Sequence, residues 1–65
     1  MEKYVGRIVE IIYQDRGGNL SQRRIRVESV KDDKVKAFCY TAGAPRIFTT
    51  TNILAAMPAA RGAAG

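Results

Sequence analysis

Apolar positions recur along this chain in short bursts, punctuated by clusters of Gly, Asp, Lys and Pro. Three such clusters, DRGGN (15–19), KDDK (31–34) and AGAP (42–45), separate stretches rich in Val, Ile, Tyr, Phe and Thr. Closely spaced strands with turn residues between them predict an all-β fold, a small barrel. The first stretch, YVGRIVEIIYQ (4–14), sets Ile8 and Ile12 on one face and Val9, Ile11 and Tyr13 on the other. Apolar residues on both faces suit a long strand buried over much of its length, and Gly6 permits a bend. Val5, Ile8, Val9 and Ile12 also fit a helical stripe. The β-branched content and the Gly-Gly turn that follows favour the strand.

VKDDKV (30–35) is nearly symmetric about Asp32-Asp33. A two-residue turn there pairs Val30 with Val35, and Asp tolerates the left-handed conformation that such a turn requires. An unbroken ladder then sets Val27 opposite Phe38 and Ile25 opposite Tyr40, which together form a core face. The other face carries Arg24 beside Thr41, Arg26 beside Cys39 and Glu28 beside Ala37. A four-residue turn at AGAP extends the sheet, pairing Tyr40 with Ile47, Thr41 with Arg46 and Cys39 with Phe48. This register gathers Arg24, Arg26, Arg46, Thr41 and Phe48 on one water-facing surface. A slip of one residue in either turn would scatter them.

TTTNILAAMP (49–58) opens on residues suited to capping, continues with Ile53, Leu54 and Met57, and ends at Pro58. A short helical or 3₁₀ turn near residues 51–57 fits, as does a closing strand from Ile53, and both agree with a five-stranded barrel. Ile53, Leu54 and Met57 suit the core, or equally a surface that a partner covers. The Gly/Ala-rich AARGAAG (59–65) reads as a flexible tail, leaving one domain over 1–58.

Composition narrows what can hold this fold together. With 65 residues, a chain buries only about 60% of its unfolded surface. Cys39 is the single cysteine and histidine is absent, so neither a disulfide framework nor a structural zinc site is expected. Apolar packing, a partner, or both must supply the stability. No run of residues has the length of a membrane span, and Met1 leads straight into Glu2 and Lys3, unlike a signal peptide. A cytoplasmic setting without membrane contact is therefore expected. Eleven Lys/Arg against six Asp/Glu give a formal charge of +5, which favours nucleic acid or another anionic partner but also serves solubility.

The arginines of SQRRIRV (21–27) carry two readings. Arg24 and Arg26, with Arg46, can capture phosphate or carboxylate through bidentate hydrogen bonds, while Phe48 and Tyr40 stack on bases. Alternatively, Arg24, Arg26 and Glu28 form a solvated strand face with cross-strand pairs. Catalytic chemistry finds little here. Cys39 lacks a histidine base, and a lone cysteine in an apolar strand is more often a small core residue. Asp32-Asp33, flanked by Lys31 and Lys34, suits a solvated hairpin tip better than a metal site. DRGGNLS has neither the lysine nor the helix of a P-loop.

AFCYTAGAPRIFTTTNILA (37–55) resembles the second half of a WYL domain: an aromatic-bearing strand, a turn, an Arg-x-Phe element, then a polar loop and an Ile. Here these are Arg46-Ile47-Phe48 and Thr50-Thr51-Asn52-Ile53. Upstream, IIYQDRGGNLSQRRIRV (11–27) is similar to that family's opening, with Ile11 and Tyr13 before the Gly turn and Arg23 and Ile25 after it. The name-giving Trp-Tyr-Leu aligns with Asp33-Lys34-Val35, and Val27 and Asn52 stand where the family has proline and arginine. The resemblance implies a divergent, stand-alone WYL-like domain with an SH3-like (Sm-like) barrel, belonging to bacterial transcriptional regulation. Such barrels are thought to sense ligands, nucleic acid included, and usually accompany a helix-turn-helix domain, for which this chain has no room. Regulation would then fall to the domain by itself, to a homo-oligomer, or to docking on a regulatory protein. The resemblance places recognition at Arg23 and Arg46, near aromatic side chains.

The combined expectation is a binding module with no catalysis, cofactor or metal. Arg24, Arg26 and Arg46 hold the anion, Arg23 supports them, and Phe48 and Tyr40 stack. The competing expectation is a protein-interaction or oligomerisation module without nucleic-acid binding, because small barrels associate through exposed strand edges.

Overall fold

SQRRIRV lies within the longest strand, β2 (Leu20–Lys31), which pairs antiparallel with β1 (Ile8–Gln14) and β3 (Lys34–Cys39). Strands β4 (Ala44–Thr49) and β5 (Ile53–Pro58) form the two edges, giving the order β4-β3-β2-β1-β5. The computed structural model describes residues 1–59, so the tail expected over 59–65 lies, from residue 60 on, outside the described residues. The fold is all-β, and its order is that of an SH3-like barrel: a meander whose last strand returns to pair with the first. Both alternatives for residues 49–58 are realised in succession, a 3₁₀ turn at Thr50–Asn52 and then β5. The expected start of the first strand at Tyr4 is corrected. Glu2–Tyr4 form a 3₁₀ turn, and β1 begins only at Ile8.

The turns follow from local chemistry. Asp15 Oδ1 accepts the N–H groups of Gly17 and Asn19, both at 2.9 Å, which folds the β1–β2 loop around its own side chain. Asp32 and Asp33 have φ of 51° and 64°, the paired left-handed conformation of a type I′ turn. Val30 faces Val35 as the symmetry of VKDDKV requires. The β3–β4 loop is Tyr40–Gly43 rather than AGAP, and Gly43 (φ 71°) donates its N–H to the Cys39 carbonyl at 2.8 Å.

The expected β2–β3 register holds at the turn and fails beyond it. Val30 pairs with Val35 and Ser29 with Lys36, but the next pair is Val27 with Ala37, leaving Glu28 as an extra residue on β2. That bulge turns every later side chain of β3 to the opposite face. Ile25 and Val27 therefore meet Cys39 and Ala37, all fully buried, instead of Tyr40 and Phe38. Phe48, opposite Val35 and 3% exposed, joins the same core. One inserted residue thus exchanges the aromatics. Phe48 goes in, and Phe38 and Tyr40 come out.

The core comprises Val9, Ile11, Ile25, Val27, Val35, Ala37, Cys39 and Phe48, with Met1, Tyr4, Tyr13, Val30, Ile53 and Ala56 packed against it. Tyr13 joins its two ends. Its ring meets Phe48 edge-on at 5.0 Å, and its hydroxyl accepts the Thr49 N–H at 3.3 Å. The Thr50 N–H donates to the Asp33 carbonyl at 2.8 Å, tying the end of β4 to the β2–β3 turn. Leu54 and Met57 are exposed on β5, while Ile53 alone of that trio packs against the core.

Candidate anion-binding surface

Alternation along β2 sends Ile25 and Val27 inward, and so sends Arg24 and Arg26 to the outer face of the sheet. The ladders place Ile8, Arg26, Phe38 and Pro45 in one row across β1 to β4, with Lys36 beside Ile47 in the adjacent row. A shallow groove of about 370 Å³ runs along this side, lined by Lys36, Pro45, Arg46 and Ile47. Phe38 and Tyr40 stand next to it as an edge-to-face pair with centroids 5.2 Å apart, and Tyr40 is 41% exposed. Cations and aromatic rings therefore share one surface, over β2, β3 and β4.

The arginines expected to act together are divided. Arg24 Nη2 donates to Glu10 Oε2 at 2.7 Å, and Gln22 Nε2 donates to Glu10 Oε1 at 2.9 Å, so both carboxylate oxygens are occupied. These hydrogen bonds, Arg24's first, hold the Glu10 carboxyl below its ordinary value of 4.5. Arg24's charge is correspondingly offset. It is the one ion pair among the described residues, and Arg26, Lys36 and Arg46 are left without a carboxylate within 4.0 Å. Arg23 stands opposite Ile11, on the core side of β2, with its Nε donating to Ser21 Oγ at 3.1 Å. Arg46, opposite Ala37, follows the inward phase of β4, yet it is exposed at the sheet edge and lines the groove.

The expected common face of Arg24, Arg26, Arg46, Thr41 and Phe48 is therefore corrected. Arg24 and Arg26 are outside, Phe48 is in the core, and Arg46 arrives from the edge. Thr41 acts locally, its Oγ1 accepting the Arg24 backbone N–H at 3.1 Å. Cys39 is buried and faces Ile25, so the arginine expected opposite it is instead beside Phe38. Sequence reasoning missed Lys36, Phe38, Pro45 and Ile47 as surface neighbours. The signal was present: apolar residues on β2 step from Val27 to Val30, a spacing of three where a regular strand steps by two, the mark of an inserted residue.

Among the described residues no cluster of three or more His, Cys, Asp or Glu could hold a metal ion, and no helix is long and apolar enough to cross a membrane. No protein-family model matches this chain, and neither a curated protein nor a solved structure matches it.

Proposed function

We propose that this chain is a non-catalytic binding module for single-stranded nucleic acid, or for another anionic ligand that carries planar rings, in a bacterial, cytoplasmic regulatory setting. One observation carries the reading: the open cations Arg26, Lys36 and Arg46 adjoin the outward aromatic pair Phe38–Tyr40. Phosphates gain charge-assisted hydrogen bonds from such cations, and every base has a face that can stack on an aromatic ring. The likeness to WYL domains points to the same ligand class, with Phe38 in the stacking role expected of Phe48. Arg24 contributes less because Glu10 already engages it, and Arg23, on the core side, takes no part.

Fluorescence polarisation with labelled oligo(dT) and oligo(U) tests the proposal. Three neutralised phosphates should give a slope of log K against log salt of about −2 between about 50 and 200 mM. Arg26→Ala and Lys36→Ala should each weaken binding and flatten that slope by about 0.7. Tyr40→Ala should weaken binding by about 1–3 kcal/mol with the slope unchanged. No binding at the lower salt, or indifference to both Arg26→Ala and Tyr40→Ala, refutes it. A second reading, a self-assembly module without nucleic-acid binding, is favoured by a different observation: β5 alone of the five strands carries no charged side chain.

A further inference from the structure

We infer that β5 is a self-association edge, along which a second copy of this chain pairs antiparallel across a two-fold axis. The inference goes beyond ligand recognition and does not depend on it, because β5 lies at the opposite edge of the sheet from the β4 groove.

A sheet with two edges exposes two rows of backbone groups to further pairing. Strand β4 is blunted. Pro45 has no N–H, and the Thr49 N–H is taken by the Tyr13 hydroxyl at 3.3 Å, which shows that Thr49 points away from β3. Alternation then leaves the Ile47 N–H as the outward donor between them, flanked by Arg46 and with Lys36 opposite. A second copy of a +5 chain would meet like charge there.

Strand β5 differs in both respects. The Ala59 N–H donates to the Ile8 carbonyl at 3.0 Å, which sets the phase of the β1–β5 ladder. By alternation Met57 and Ala55 then bond to Glu10 and Ile12, whereas Ala56 and Pro58 turn their backbone away from β1. Pro58 has no donor to leave unpaired. Among the described residues, the Ala56 N–H and carbonyl have no partner on the open side. From Thr50 to Ala59 the chain carries no charge at all, although 26% of its residues are charged.

An isologous interface sets a surface against its own image, so a charged strand repels itself and a neutral one does not. That is why a second copy fits β5 better than any other edge of this cationic chain. Pairing centred on Ala56 lets the two Ala56 residues exchange two N–H···O=C bonds and sets Met57 of one copy beside Ala55 of the other. Leu54 and Met57, 52% and 58% exposed, gain apolar cover. A small core with eight buried side chains gains stability from such mass action.

Sedimentation equilibrium of the full chain from about 10 µM to about 1 mM tests this. The expected result is a monomer–dimer equilibrium within that range. Ala56→Pro removes only the outward donor and leaves the β1 ladder intact, while Met57→Lys brings charge to the edge; each should raise the dimer Kd at least tenfold, that is by about 1.4 kcal/mol. Ile47→Lys, on the other edge, should leave it unchanged. Thermal melts confirm folding, and should Ala56→Pro fail to fold, the exposed Met57→Lys decides alone. A chain monomeric throughout, a dimer indifferent to Met57→Lys, or one lost in Ile47→Lys overturns the inference. Oligonucleotide binding by Met57→Lys is predicted to persist, so a failure of dimerisation is distinguishable from a failure of ligand recognition.

Discussion

Shortening Phe48 and Phe38 to leucine, one at a time, should separate the core from the binding surface. Phe48 is 3% exposed and its ring meets Tyr13 edge-on at 5.0 Å. Phe48→Leu forfeits that pair, worth about 0.5–1.5 kcal/mol, and leaves a small void, for a total of about 1–2 kcal/mol. Alanine would cost about 3–5 kcal/mol. Domains hold about 0.05–0.15 kcal/mol per residue, or about 3–10 kcal/mol for a chain of this length, so alanine would leave little of the fold to measure. At roughly 4–8 °C per kcal/mol, Phe48→Leu should lower Tm by about 4–16 °C. Phe38 is only half-buried, on the outer face. Phe38→Leu should lose about 1 kcal/mol of stability or less, chiefly its pairing with Tyr40. The assays are urea unfolding by circular dichroism and oligonucleotide polarisation, both at a temperature where each variant is folded. Phe48→Leu should lose the more stability and keep its affinity, whereas Phe38→Leu should lose the less stability and bind more weakly. A Phe48→Leu variant with unchanged Tm and weakened binding would refute the register from which this reasoning starts.

Two further perturbations address the turn and the ion pair. Asp33 holds a left-handed conformation (φ 64°) in which glycine has no Cβ to strain, so Asp33→Gly should raise Tm by roughly 2–8 °C, or about 0.5–1 kcal/mol; a melt that is unchanged or lower contradicts the type I′ geometry. Glu10 is held below its ordinary 4.5 by Arg24 and then Gln22, so its contribution to stability is present above pH 4.5 and fades as pH falls through the lowered folded value. An NMR titration should place Glu10 below 4.5 and find it moving back towards that value in Arg24→Gln. A Glu10 titration unaffected by that substitution would mean that the guanidinium is not its partner.

Much of this protein was legible without coordinates. The all-β class, the turns at 15–19 and Asp32-Asp33, and the inward phase of Ile25 and Val27 depend on φ/ψ preferences and on the period-two alternation of a strand. Those are properties of short segments, so a segment suffices to state them. The candidate surface was only half legible. Arg26, Arg46 and Tyr40 do reach one side of the sheet, whereas Phe48 does not, and Arg24 arrives already engaged by Glu10.

Tertiary packing decided the rest, because register is a relation between strands. A bulge at Glu28 changes no local preference of β3, yet it turns Phe38 and Tyr40 to water and puts Phe48, opposite Val35, into the core. The Glu10–Arg24 contact likewise joins residues on different strands, and which strands become edges is a matter of sheet order alone. Alternation along the chain tells which residues share a side of one strand. Only the cross-strand hydrogen bonds tell which sides of different strands coincide, and that coincidence makes the surface.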